Sequence, residues 1–233
     1  MKPLYKPGLD FYVQKLQQGE PFSFVRYGDG DWNYLLKREK YSDHKGRVLY
    51  TPELYAALTA SILEPRMSNY YLALQNHSYL KPQGFLPKID RWLKQHKAPD
   101  INWHFATVFH RASEGGQLGP LIKALQNRPL IMIGPEWLRK LTFATKVIPI
   151  PSKRCWPNAA LVEAQLQRIA NGSVISFSAG PTAKVLIHRL APILGQHSWL
   201  IDFGSLWDPY CGIKSRQYHK KLSVKTMRHN LGI

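Results

Sequence analysis

Cysteine is scarce in this chain, long apolar runs are missing, and the second half is nearly without acid. Two cysteines in 233 residues, Cys155 and Cys211, cannot build a disulfide framework or, by themselves, a zinc site. A cytoplasmic protein with free thiols is the plain expectation. No stretch approaches the ~20 apolar residues that a membrane span needs. The opening Met1-Lys2-Pro3-Leu4-Tyr5-Lys6-Pro7 lacks the apolar core of a secretory signal. The shortage of acid is one-sided. Residues 137–233 hold 14 Lys/Arg against three carboxylates, Glu163, Asp202 and Asp208, whereas residues 1–136 hold 18 against 12.

What is present narrows the class further. Apolar residues make up 44% of the chain, which excludes wholesale disorder. A net charge of +17 suits a polyanionic partner, such as nucleic acid, anionic lipid or an acidic glycan. β-rich apolar runs alternate with helical stretches. Phe22–Tyr27, Asn69–Leu74, Ile101–His104, Leu130–Gly134, Lys146–Ile150, Val174–Phe177 and Trp199–Phe203 read as buried strands. Pro52–Leu63, Leu86–His96, Gly119–Gln126, Glu136–Leu141, Asn158–Ala170 and Pro181–Leu190 read as helices. This alternation predicts an α/β, Rossmann-like fold, a mainly parallel sheet flanked by helices, as one domain over 1–233 with a basic segment at about 212–233. In such sheets ligands sit at the carboxyl ends of strands.

Three segments at those ends carry chemistry. Arg26-Tyr27-Gly28-Asp29-Gly30-Asp31 sets two carboxylates one residue apart on a glycine turn, where they can share a hard cation with a diphosphate. The bland reading is a tight loop with Asp31 capping the next helix. Ser178-Ala179-Gly180-Pro181-Thr182-Ala183-Lys184 is a strand end, a glycine and a helix start with proline in the first turn, suited to phosphate. There Thr182 offers a hydroxyl and Lys184 a charge; an ordinary strand-to-helix link is the alternative. Ile201-Asp202-Phe203-Gly204-Ser205 through Asp208-Pro209-Tyr210 holds two of the few acids in a basic region. Asp208 is a candidate general base, with a structural salt bridge as the alternative. Beyond it, Lys214, Arg216, Lys220, Lys221, Lys225 and Arg228 interleave with Tyr218, His219 and His229, either a solvated basic face or a polyanion contact.

These motifs, in this order over roughly residues 20–220, resemble the GT-D-type glycosyltransferases. The resemblance implies a Rossmann-like domain that moves a sugar from a nucleoside diphosphate donor, most simply a UDP-sugar, with a divalent metal, Mn2+ or Mg2+. Carried over by position, Asp29 and Asp31 would hold the metal, with Asp31 also acting in catalysis. Arg26, Gly28, Gly180, Pro181, Thr182, Arg216 and His219 would surround the donor phosphates. Asp202, Gly204 and Ser205 would line its nucleoside or sugar, and Asp208 would be the base. The family usually shows Asp-x-Glu after Arg-Phe-Gly. This chain has Asp29-Gly30-Asp31 after Arg26-Tyr27-Gly28, one methylene shorter at the second acid.

The charge points to the acceptor. A hydroxymethylated pyrimidine in DNA, as modified by viral-type enzymes, calls for sequence-independent phosphate binding and base extrusion. Arg154, Trp156, Lys214, Lys220, Lys221, Lys225 and Arg228 are the residues expected to contact it. A cell-surface glycan or lipid-linked acceptor is the second reading. Two others come from different classes. An S-adenosylmethionine-dependent DNA methyltransferase would use Asp208-Pro209-Tyr210 in place of Asp-Pro-Pro-Tyr, and a non-catalytic nucleic-acid-binding module would need neither aspartate.

Overall fold

The computed structural model describes residues 2–37, 48–64, 66–75, 80, 84–168 and 172–233. Seven strands form one sheet: β1 Ser23–Tyr27, β2 Tyr70–Leu74, β3 His104–Phe105, β4 Leu130–Gly134, β5 Lys146–Pro149, β6 Val174–Phe177 and β7 Trp199–Asp202. Their order is β3-β2-β1-β7-β6-β4-β5, and every pairing is parallel. The predicted strands match within a few residues. Their continuous apolar runs have the physical cause expected of a parallel sheet covered on both faces: β4, β6 and β7 are buried throughout.

The edges are short or polar. β5 carries Lys146 and Pro149 to the surface, which blunts that edge. On the other side β3 is only two residues long, and Tyr5 bridges onto His104 beside it.

Nine α-helices are described: α1 Leu9–Gln18, α2 Asp29–Lys37, α3 Pro52–Leu63, α4 Phe85–Gln95, α5 Val108–Glu114, α6 Gly119–Gln126, α7 Ala159–Leu166, α8 Pro181–Leu194 and α9 Val224–Leu231. By contact they fall into two groups, α2, α3, α4, α7 and α8 in one and α1, α5, α6 and α9 in the other. Thr51 caps α3 by accepting from Leu54 N, and Ser223 caps α9 by accepting from Thr226 N. Trp32, Trp199 and Trp207 are fully buried.

Some elements depart from the sequence reading. Glu136–Lys140 winds as a 3-10 turn rather than an α-helix. The predicted Asn158–Ala170 helix is α-helical over Ala159–Leu166, and its last two residues lie outside the described residues. α1, α5 and α9 were not anticipated; α2 matches the helix of the capping alternative but begins at Asp29, with Asp31 inside its first turn rather than at its cap. α9 is the instructive one, because the basic tail is a docked helix. Buried Asn230 accepts from Leu118 N at 2.9 Å and donates to Ser113 O and Tyr210 Oη, each at 2.8 Å.

The topology sets one crevice of the sheet apart from the rest. The chain builds β1, β2 and β3 outward, then returns to lay β7 against the other side of β1. Strand order therefore reverses between β1 and β7. In open α/β sheets the crevice beyond the carboxyl ends at such a point is the ligand site.

Candidate functional site: three glycine turns around a buried lysine

β1 ends at Tyr27, and α2 starts at Asp29 with no intervening loop. Gly28 is the hinge. Its carbonyl accepts from Trp32 N at 3.1 Å, and its N–H donates to Asp31 Oδ2 at 3.0 Å. That is the returning half of a capping box, an acid at the third helical position satisfying the cap amide. Asp29 and Asp31 thus lie in the first turn of α2, where carboxylates are favoured by the helix dipole. Gln75, just past β2, braces the turn: its Oε1 accepts from Asp29 N at 3.1 Å and its backbone N–H donates to Tyr27 O at 3.1 Å. Sequence reasoning missed Gln75, although a polar residue directly after a buried strand was the available signal.

Asp31, Asp202 and Lys184 form a buried ion cluster. The Lys184 Nζ lies 2.9 Å from Asp202 Oδ2, 3.5 Å from Asp31 Oδ1 and 3.1 Å from Gly180 O. The other Asp202 oxygen, Oδ1, accepts from Gly204 N at 3.0 Å. All three side chains are buried, Asp202 at 1% exposure. Burial raises the Asp31 carboxyl, against the pull of the Lys184 ammonium and the Gly28 amide. Burial alone would lower Lys184, yet Asp202 and Asp31 reverse it and leave the ammonium raised.

This geometry corrects several expectations. Lys184 does not reach outward to a phosphate; it is turned inward between two acids. Asp202 does not line the crevice and is interior. Thr182 is likewise buried, at 3% exposure. Asp29 and Asp31 are not two equally open carboxylates, because both Asp31 oxygens face interior donors. Among the described residues no group of three or more His, Cys, Asp or Glu converges as a metal cage. The Asp29 carboxylate differs: it is half-buried and makes no ion pair with a described residue. A hard divalent cation can be held by one carboxylate when substrate phosphates complete its shell, so the donor set fits a cation through Asp29 alone.

The remaining motif residues gather on β7 and its loop. Arg26 spans two turns, with Nε donating to Ala106 O at 2.8 Å and Nη1 to Phe203 O at 2.9 Å. It joins the ends of β1, β3 and β7, so at least two of its five donors serve the scaffold. Gly204 has φ +56°, and a Cβ there would stand 2.5 Å from Arg26 Nη1. Ser205 Oγ and Tyr218 Oη are 2.8 Å apart, and burial pushes the Tyr218 hydroxyl up to about 12. His219 is fully buried, with Nδ1 accepting from Arg216 N at 3.3 Å, while Arg216 is exposed. Burial lowers His219, and burial together with Arg26 lowers His110 well below its ordinary value. His110 packs edge-on to Tyr218, 5.3 Å between rings; the sequence reading did not single it out.

Asp208 is buried at 6% exposure. Trp137 Nε1 donates to its Oδ1 at 3.0 Å, and Ser215 Oγ donates to its Oδ2 at 2.5 Å. Both oxygens are thus engaged in holding the loop after β7.

Lys214, Lys220, Lys221, Lys225 and Arg228 are exposed. Arg154 is exposed with φ +53°, and half-buried Trp156 has the Arg189 guanidinium 5.5 Å over its ring. That face of the indole is already stacked. Arg154 and Trp156 follow β5, three strands from β7, or about 14 Å along the sheet. They share the carboxyl-end rim with the basic segment but not its immediate neighbourhood. Two cavities lie at the other end of the sheet. One of about 420 Å³ is lined by Lys2, Lys94, Lys97, Asp100 and Trp103, and one of about 330 Å³ by Arg66, Tyr70, Asp100 and His104. Neither contains a motif residue.

No protein-family model matches the chain, and no curated protein matches it. Solved structures do. A glycosyltransferase (DUF1792) from Streptococcus sanguinis superposes with a TM-score of 0.65 at 19% identity, covering 97% of this chain and 92% of the other. A domain of unknown function 1792, which has a distinct glycosyltransferase fold, gives 0.63 at 17% identity, with 89% and 80% covered. At these identities the likeness establishes architecture: an all-parallel seven-stranded α/β fold of the kind found in DUF1792 glycosyltransferases.

Proposed function

We propose that this protein is a glycosyltransferase that binds a nucleoside diphosphate sugar over the β1/β7 switch point and transfers the sugar to a hydroxyl of a polyanionic acceptor. One observation carries the reading: glycine turns at the carboxyl ends of β1, β6 and β7 converge there, in a fold like that of known glycosyltransferases. Gly180 has φ +55° and open space on its Cβ side, directly before the 14-residue helix α8. The Gly180 and Thr182 N–H groups at that helix start suit a phosphate, Pro181 having no N–H and the Ala183 N–H donating to Gly180 O. Exposed Arg216 adds charge on the neighbouring loop. A divalent cation at Asp29, when bound, would neutralise charge on the departing diphosphate. Asp31, Asp202 and Arg26 shape the crevice from below, and Asp208 holds the loop that carries Ser215 and Arg216.

The acceptor reading rests on charge. The exposed basic residues of 214–228 follow the β7 loop in the chain, and Asn230 docks the helix that carries Lys225 and Arg228. DNA is the polyanion this surface suits best in our reading, and an anionic glycan shares the chemistry. The fold likeness favours transfer of a sugar over the methyltransferase reading and over binding without catalysis.

The test is titration with UDP-, GDP- and CDP-sugars, with and without Mn2+, followed by assay of diphosphate release on adding hydroxymethylated DNA or an anionic glycan. Saturable binding of one sugar nucleotide and release dependent on either acceptor support the proposal, and the responding acceptor names the partner. Absence of binding to every donor contradicts it.

A further inference from the structure

We infer that Lys184 is a positioning residue that ties the three glycine turns of the donor site into one rigid unit; this rests on the donor-site reading above. Each member of the buried cluster holds one turn. Asp31 Oδ2 receives the Gly28 amide after β1, Lys184 Nζ donates to Gly180 O after β6, and Asp202 Oδ1 receives the Gly204 amide after β7. The cluster then closes on itself through the Lys184 ammonium, which meets Asp31 and Asp202. Three turns far apart in sequence thereby share one centre. β6, β7 and β1 are successive neighbours in the sheet, so their ends are brought within reach of one side chain.

The ammonium has three N–H donors, and three oxygens surround it. The Lys184 side chain is only 7% exposed and is directed at Gly180 O, Asp202 and, at longer range, Asp31, which separates it from groups open to a ligand phosphate. A buried ion cluster is a weak source of stability, since an apolar replacement of similar volume is often neutral or better. What an apolar side chain cannot supply is hydrogen bonding that fixes three separate backbone turns at once. Arg26, near the end of β1, ties that strand to the turn after β7 through Phe203 O and to the end of β3 through Ala106 O. A Cβ at Gly204 would collide with it, so the turns have little freedom to shift independently.

The experiment compares the wild-type protein with Lys184→Met and with Lys184→Met/Asp202→Asn. The double variant removes one positive and one negative charge, keeps the cluster's net charge, and leaves an amide oxygen for Gly204 N. Amide exchange of the ligand-free proteins is followed by mass spectrometry over residues 26–32, 178–184 and 202–206, and donor kinetics are then measured. The expected result is faster exchange in all three segments together, in both variants, with kcat/KM for the donor down about 100-fold in the charge-balanced variant, as for a misplacement of about 1 Å. Faster exchange confined to 178–184, or wild-type donor kinetics in the double variant, would overturn the inference. If the segments respond together but the wild-type protein binds no sugar nucleotide, the donor reading fails and the positioning role stands.

Discussion

The Lys184 ammonium sits 2.9 Å from Asp202, a residue that is 1% exposed. Two carboxylates share this one cation, so each depends on it for compensation. Asp202→Ala removes the shorter ion pair and frees the Gly204 amide. Breaking a buried pair from one side costs about 3 to 5 kcal/mol, and chemical denaturation should show a loss of that order. Unchanged stability would mean that the cluster is solvated.

His104 makes stability depend on pH. Its Nδ1 is 2.8 Å from Tyr12 Oη and its ring stacks on Tyr71 at 4.4 Å between centroids. Burial lowers it from 6.5 to about 4. The unfolded chain therefore binds the proton first, and stability falls as pH drops from 6.5 towards 4, by up to about 3 kcal/mol. Thermal unfolding across that window should show the loss, and His104→Gln should flatten it. A wild-type profile flat from pH 7 to 4 would contradict the account.

Gly204 and Gly180 both have positive φ but differ in their surroundings. At Gly180 an added methyl meets nothing within 4 Å, while at Gly204 it meets Arg26. Gly180→Ala should cost about 1 to 3 kcal/mol from backbone conformation alone, because φ +55° with ψ −139° is a region that only glycine adopts readily. Gly204→Ala should cost more and also weaken donor binding by dislodging Arg26. Equal effects in calorimetry and donor titration would argue against a fixed Arg26.

The basic segment should act on acceptor affinity rather than donor affinity. Lys220→Glu with Lys221→Glu is expected to leave sugar-nucleotide binding intact and to weaken DNA binding. The log–log salt slope should shallow by about one for each phosphate that is no longer neutralised. An unaltered slope would place the acceptor elsewhere, or remove DNA from consideration.

The sheet was legible because strands buried on both faces read as continuous apolar runs, as β4 and β6 do. The helices that escaped or began elsewhere than expected are explained individually. α2 begins on the glycine-flanked acids that look like a loop, and it does so because Asp31 folds back onto Gly28. α9 is only eight residues long, and its apolar positions Val224, Met227 and Leu231 are scattered among basic and polar residues; its buried residue is the polar Asn230, so the helix gives a weak apolar signal. At the site, the sequence singled out three turns that the fold brings together, but not the direction of their side chains. Asp31, Lys184 and Asp202 look like ligand-facing groups until β1, β6 and β7 are set side by side, when they face one another. Gln75 and His110 belong to no motif and come into view only through the end of β2 and through α5.

In the proposed function the donor diphosphate lies where the glycine turns after β1, β6 and β7 meet. A crystal structure of the protein with a bound sugar nucleotide tests it most directly. The account predicts density for the diphosphate beside Gly28, Gly180 and Gly204, within reach of Asp29. Density instead in the cavity lined by Lys97, Asp100 and Trp103, with the glycine turns bare, would contradict it.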